Sequence, residues 1–357
     1  MNKKKIRIFT PSWADESNTN AQNLTVKSIV ARLDSEIFHI TMLYQENIDA
    51  RLKGKPNITF ISWKKHGNAI RILMHMILNS YDIFFYPRYT VIEKGFLWLN
   101  YLRRGQTKLI THVVHRIDPA IFRNRSFSAG VCKKLIQYST IVLGNSQFVT
   151  QTTIDNFKVQ AETIHNGIDR RFFYPAVLEN KDEEGNIRVF YAGSFQARKR
   201  PALIVDLAKK FPRVRFDLAG SGPELESCQQ LVADLGINNV NFLGHLKPVD
   251  LGEQMRTADI FLFPSLIEGH PQVLGQAAAC GLPCIAMAVY RPDYIAHEKT
   301  GFLAEDDQAL EDYLKRLIAS EPLRHTMGKA AAVHARQFDW DIVVKRWSEV
   351  FKKVTNN

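Results

Sequence analysis

The sequence predicts an α/β protein built from two Rossmann-like domains, and three observations carry that reading. The chain has 357 residues, more than one α/β core usually holds, so two domains are expected. Short runs of β-branched and aromatic residues alternate with amphipathic stretches throughout, the pattern of parallel sheets covered by helices. Between two such series lies Glu162–Pro175, where Asn166-Gly167 supplies turn chemistry and the segment reads as a link.

In the first series the expected strands are Ile6–Thr10, Ile37–Tyr44, Ile58–Ser62, Ile83–Tyr86, Lys108–Val114 and Thr140–Gly144. Helical periodicity occupies Asn23–Leu33 and Ile70–Leu78. After the first strand, Pro11 to Asn20 is rich in small polar residues and reads as a mobile loop beside a cleft. Val91–Arg104 mixes aromatic and basic residues; it fits a core helix ending in exposed arginines or an interfacial helix.

The second series opens at Ile187 with a strand at Arg188–Ala192. Pro201–Phe211 follows as a helix with Leu203, Ile204, Leu207, Ala208 and Phe211 on one face. Further strands are expected at Arg215–Ala219, Val240–Leu243, Ile260–Phe263 and Cys284–Met287, with a helix from about Gln272 to Cys280. At the C-terminal end, Trp340, Val343, Val344, Trp347, Val350, Phe351 and Val354 form one helical stripe that must be buried.

Charge separates the two halves. Residues 1–175 carry 25 Lys/Arg against 12 Asp/Glu, while the remainder carries 22 against 24. The basic half fits an anionic membrane surface, a phosphorylated acceptor or a merely solvated surface. No aromatic–basic recognition motif accompanies it, so nucleic acid is not an expected partner. Cys132, Cys228, Cys280 and Cys284 have apolar or small neighbours and no CxxC pairing, which fits buried thiols in a reducing compartment. No cluster has metal-ligand spacing, so no metal is expected. Ile6–Thr10 is too short for a signal-peptide core, and no stretch reaches the ~20 apolar residues of a spanning helix. A cytoplasmic protein is expected, at most peripheral on the inner face of the membrane.

Three segments carry chemistry. The strand Ile260–Phe263 ends at Pro264-Ser265, and a loop containing Glu268 and Gly269 leads into a helix bearing Gln276. Backbone N–H groups at such a helix start attract phosphate. Gly193 to Arg200 follows a strand and ends in Arg198-Lys199-Arg200, three cations that either form a solvated basic turn or neutralise a departing diphosphate. Ala219-Gly220-Ser221-Gly222-Pro223-Glu224 is again strand, glycine turn and helix.

Taken in order, these motifs resemble those of the retaining family-4 glycosyltransferases, the glycosyl transferases group 1, which have the GT-B fold. The likeness runs from Asn166-Gly167-Ile168-Asp169, with Phe172 and Pro175, through Gly193 and Arg198-Lys199 to Leu218-Ala-Gly-Ser-Gly-Pro223 and Phe242-Leu-Gly244. It continues through Ala258–Ser265, Glu268-Gly269, Ala279-Cys-Gly-Leu-Pro283 and Gly301-Phe302.

The resemblance implies a GT-B protein of two facing domains with a C-terminal helix packing back across the molecule. Residues 1–170 would bind the acceptor and 171–338 the nucleotide-sugar donor, with 339–357 returning to the first domain. It implies that Lys199 stabilises the donor diphosphate, within a loop of Gly193, Ser194 and Arg198, and that Glu268 contacts the transferred sugar. Backbone around His270, Pro271, Gln272 and Val273 would meet sugar and phosphate, and Gly244 and His245 would border the base. His115 matches a position where similar enzymes carry a histidine near the sugar; a structural histidine fits there too, as it does at His112.

Two departures stand out. Ser194 replaces the usual arginine, a charge that Arg198 or Arg200 could supply. Gln276 replaces the second glutamate of the family's motif, which normally accepts from both ribose hydroxyls; an amide offers one uncharged acceptor oxygen. The donor then either has a deoxyribose, as in dTDP-sugars, or binds through this amide adequately. Transfer to a glycan or lipid-linked acceptor, in polysaccharide or lipopolysaccharide assembly, is the implied activity. A nucleotide-sugar 2-epimerase and a non-catalytic nucleotide-sugar-binding subunit are the rival readings.

Overall fold

The computed structural model describes residues 4–17, 21–63, 68–85, 91–117, 127–175 and 187–355. The chain divides into two compact units, Met1–His165 with Asp341–Asn357 and Asn166–Trp340.

The first unit runs β1 (Ile6–Trp13), α1 (Ala21–Val30), β2 (Phe38–Tyr44), β3 (Ile58–Ser62), α2 (Asn68–Leu78) and β4 (Ile83–Phe85). It continues α3 (Val91–Leu102), β5 (Lys108–Val113), α4 (Phe127–Tyr138), β6 (Ile141–Gly144), α5 (Gln147–Phe157) and β7 (Ala161–Thr163). The strands form one parallel sheet in the order β3-β2-β1-β4-β5-β6-β7. Its inner strands are buried on both faces, as Ile8, Phe9, Ile83, Phe84 and Phe85 show. Helices on both sides demand such continuous apolar runs.

Two expectations need correction here. Pro11–Trp13 does not open a loop: β1 extends through Trp13, with a register shift against β2 between Thr10 and Trp13. Proline lacks the N–H of a regular ladder, and the irregularity accommodates it. Residues 18–20 of the expected loop, and Tyr86 of the expected fourth strand, lie outside the described residues. The segment read as a link contains part of β7, a three-residue edge strand too short and too polar to show a period.

The second unit runs β8 (Arg188–Ala192), α6 (Pro201–Lys210), β9 (Arg215–Ala219), α7 (Leu225–Asp234), β10 (Val240–Gly244) and α8 (Pro248–Arg256). It continues β11 (Ile260–Phe263), α9 (Gln272–Ala279), β12 (Cys284–Met287), β13 (Gly301–Ala304), α10 (Asp307–Ala319) and α11 (Glu321–Ala335). The sheet order is β10-β9-β8-β11-β12-β13, again parallel. Arg188 pairs in the interior with Asp217, whose other oxygen accepts from Arg215 at 3.0 Å and Asn241 at 2.8 Å. A buried carboxylate is tolerable because its lone pairs are met. The four thiols are all buried, and none is in a disulfide. Burial pushes Cys280 up to about 12 and Cys228 up to about 11, which leaves both protonated and unreactive at neutral pH.

The last helix, α12 (Trp340–Thr355), groups from Asp341 onward with the first unit. Val343, Trp347, Phe351 and Val354 of its stripe are buried there, with Val344 and Val350 half-buried: Phe351 meets Phe38 at 5.9 Å and Phe85 at 5.2 Å, and Trp347 meets Phe85 at 5.0 Å. His112 lies edge-on to Trp347 at 5.1 Å, and burial pushes its pKa down to about 3. It is a neutral core ring. No helix among the described residues is long and apolar enough to cross a membrane.

Candidate active site

In the second sheet the strand order reverses between β8 and β11: β9 and β10 lie on one side, β12 and β13 on the other. Loops leaving two such strands diverge and open a crevice at their carboxyl ends. Both chemistry-bearing loops of the second unit start there, after Ala192 and after Phe263.

The loop after β8 ends in a 3₁₀ turn, Ala197–Lys199, closed by Arg200 in the left-handed region at φ 56°. That tight turn sends Arg198 and Lys199 to one carboxylate and Arg200 to another. Lys199 is buried, with its ammonium directly on Glu268 Oε1 and 4.8 Å above the Phe263 ring. Arg198 Nη1 reaches the same oxygen at 3.3 Å and the Ile267 carbonyl at 2.9 Å. Arg200 instead pairs with Asp307 at the start of α10, and this hydrogen bond lowers the pKa of that carboxyl. Of the two arginines that could stand in for the one missing at Ser194, Arg198 is therefore the one at the glutamate.

Glu268 takes a third donor. Ser265, fully buried, gives its hydroxyl to Oε1 at 2.6 Å, while the Leu266 N–H bonds the Arg198 carbonyl at 3.0 Å. All three side-chain donors end on Oε1, and Oε2 has no hydrogen-bond partner among the described residues. One carboxylate oxygen is thus anchored and the other is available. Burial lowers the pKa of Lys199 against the opposing pull of Glu268.

The glycine turn after β9 supports the loop that follows β8. Phe195 N–H bonds the Ser221 carbonyl at 2.9 Å, and Glu224 N–H bonds the Phe195 carbonyl at 3.0 Å. Gly220 and Gly222 have φ 140° and 154°, and a Cβ would fall 1.8 Å from the Gly193 oxygen and 2.5 Å from the Phe195 oxygen. Only glycine permits this backbone-to-backbone contact. Gly244 joins the same set, its carbonyl accepting from Gly220 N–H at 2.7 Å, and His245 follows it exposed.

Residues His270 to Val273 lead into α9, whose N-cap, Pro271, supplies no side-chain cap. Its first-turn amides are therefore not consumed by a capping side chain, as an anion site requires. The His270 ring stacks on Tyr294 at 4.0 Å and is buried. Gln272, Val273 and Gln276 are half-buried on α9. His115 belongs to the first unit and stands exposed just past β5.

Sequence reasoning missed the roles of Ser265 and Phe263. Ser265 stands three residues before Glu268, the spacing at which a tight turn returns a hydroxyl to a carboxylate, so that signal was present. Phe263 shows no signal beyond that of a core strand residue.

The comparisons with known proteins agree with the GT-B fold that the resemblance implied. Residues 178–334 match the family model described as glycosyl transferases group 1. The matched residues lie within the second unit. It is similar to the N-acetyl-alpha-D-glucosaminyl L-malate synthase of Bacillus anthracis, 26% identical over 70% of this chain and 69% of that one. It is also similar to the D-inositol 3-phosphate glycosyltransferase of Mycobacterium tuberculosis, 33% identical over 50% of this chain and 41% of that one. Among solved structures, Anabaena Alr3699/HepE in complex with UDP and glucose has a TM-score of 0.77 at 17% identity, covering 98% of this chain and 100% of that one. Sucrose-phosphate synthase from Thermosynechococcus elongatus has a TM-score of 0.78 at 18% identity, covering 98% and 99%. These structural likenesses establish the fold.

Proposed function

We propose that the chain moves a sugar from a nucleotide-diphosphate sugar to a hydroxyl of a glycan or lipid-linked acceptor, with retention, in cell-surface polysaccharide or lipopolysaccharide assembly. The observation that carries this reading is the contact of Lys199 with Glu268 at the switch point of the donor-side sheet. Without donor, each group satisfies the other. With donor, Lys199 and Arg198 meet the leaving diphosphate, and Glu268 Oε2 accepts from a sugar hydroxyl.

In the transfer step the bond from anomeric carbon to diphosphate oxygen breaks, and its electron pair leaves with the diphosphate. The acceptor oxygen bonds the carbon on the same face, and its proton passes to the leaving phosphate oxygen. Fixed cations and the α9 N-terminus stabilise charge as it develops on the diphosphate. No metal takes part on this reading. The binding of UDP and glucose by the Anabaena neighbour, and the sugar-transferring names of relatives, support the donor class.

Glu268→Ala and Lys199→Ala should each lower kcat by about 100-fold or more in a folded protein, the scale of losing one charge-stabilising group. Glu268→Gln keeps the shape without the charge and guards against loss of folding. Wild-type rates in all three would remove the assignment. Product analysis with donor alone tests the rival: an epimerised nucleotide sugar formed without acceptor would replace transfer.

A further inference from the structure

Deepening the reading above, we infer that α2 and α3 together form a docking face for an anionic lipid bilayer. On α2 the residues Ile70, Met74, Ile77 and Leu78 are exposed, Leu78 by 78%. Their spacing places them on one helical face. On α3 Trp98, Tyr101 and Leu102 are exposed by 66%, 82% and 57%. They too fall on one face, while Phe96 and Glu93 of the same helix are buried. Of the two readings of Val91–Arg104, the exposed Trp98, Tyr101 and Leu102 favour the interfacial helix over the core helix ending in exposed arginines.

The two stripes lie side by side. A Cβ on Gly95 would come within 2.6 Å of Leu73, so α3 crosses α2 in direct contact. Further along, Arg103 caps the end of α2, giving Nη1 to the Met76 carbonyl at 3.2 Å and Nη2 to that of Ile77. Both helices therefore run in the same direction, and their exposed C-terminal turns adjoin.

Charge selects the occupant. Helices α2, α3 and the neighbouring α4 carry Arg71, Lys94, Lys133 and Lys134, with Arg103 and Arg104 at the end of α3. Their only carboxylate is Glu93, which is fully buried. A surface for another protein would ordinarily mix both signs, whereas cations around exposed Trp, Tyr and aliphatic side chains fit a headgroup layer of negative lipids. Indole and phenol rings belong at that depth, with one end apolar and the other wet.

The test uses the full chain, without donor, sedimented with vesicles of phosphatidylcholine alone or of an equimolar mixture with phosphatidylglycerol. We expect co-sedimentation on the anionic vesicles, a several-fold weaker signal on the neutral ones and a further loss in high salt. Trp98→Ser with Tyr101→Ser should cut anionic-vesicle binding by about tenfold or more, since two buried rings are lost. Lys94→Glu with Arg104→Glu should do so through charge. Turnover of a water-soluble acceptor should stay unchanged in both double variants, which separates this face from the donor site. Equal sedimentation of wild type and both variants would overturn the inference. So would a wild-type dimer that the aromatic variant converts to a monomer while lipid has no effect.

Discussion

Glu268 is held by one oxygen. Lys199, Arg198 and the Ser265 hydroxyl converge on Oε1, an arrangement that fixes the carboxylate plane and leaves Oε2 for a ligand. Lys199 sits under an unusual tension between burial, which lowers its pKa, and the adjacent carboxylate, which raises it, and burial prevails. The sign gives a test. The protonated ammonium attracts the diphosphate, so donor affinity should be full at neutral pH. It should be lost as pH rises through a midpoint below 10.5, the ordinary lysine value. Lys199→Arg keeps its charge throughout and should flatten that loss. Calorimetric titration of the nucleoside diphosphate from neutral to alkaline pH reads both curves; identical alkaline losses in the two proteins would rule the lysine out. Burial and the Glu268 charge likewise hold the Tyr191 phenol neutral, beside the loop it supports through the Ser194 carbonyl at 3.2 Å.

At the scale of elements, α12 shows how a short amphipathic segment completes a distant core. Its stripe was readable because Trp340, Val343, Trp347, Phe351 and Val354 recur at helical spacing, and all five are buried. Trp347 is fully buried against Phe85 and His112, so Trp347→Ala should destabilise the first unit by about 3–5 kcal/mol, the usual cost of a large aromatic cavity. Trp347→Phe should cost much less, because the indole N–H has no acceptor among the described residues. Denaturant unfolding compares the two, and equal midpoints would show that the ring does not pack as described. Strands of the second unit were legible almost to the residue, because β8, β9, β11 and β12 are buried apolar runs bounded by turns. The short β7 and β13 were not, since β7 is three partly exposed residues and β13 opens on a glycine, a residue that reads as a turn rather than a strand.

For the whole molecule, both sheets are parallel and both reverse order once, between β1 and β4 and between β8 and β11. While the first unit has Lys27 and Arg51 on Asp49, the second reversal gathers Lys199 and Arg198 on Glu268, the cluster on which the proposed donor site rests. Because that cluster offers cations of its own to a diphosphate, donor binding should persist undiminished in excess chelator. Calorimetry in chelator, with UDP and dTDP compared, checks this and the consequence of Gln276 together. Abolished binding would require a metal, and clear preference for UDP would show that the single amide oxygen serves an ordinary ribose.

Local order fixed what the sequence alone determined: the alternation of strands and helices, the fold class, the buried stripe of α12, and the motifs bearing Lys199 and Glu268. Each of these rests on neighbours within a few residues, where periodicity and turn chemistry act. Tertiary structure decided which cations serve which carboxylates. Arg198 and Arg200 are two residues apart, yet one turns to Glu268 and the other to Asp307, each some seventy to a hundred residues away along the chain. It also decided that Trp98, Tyr101 and Leu102 face outward, because a helix with apolar residues all round shows which face is covered only once its neighbours are in place.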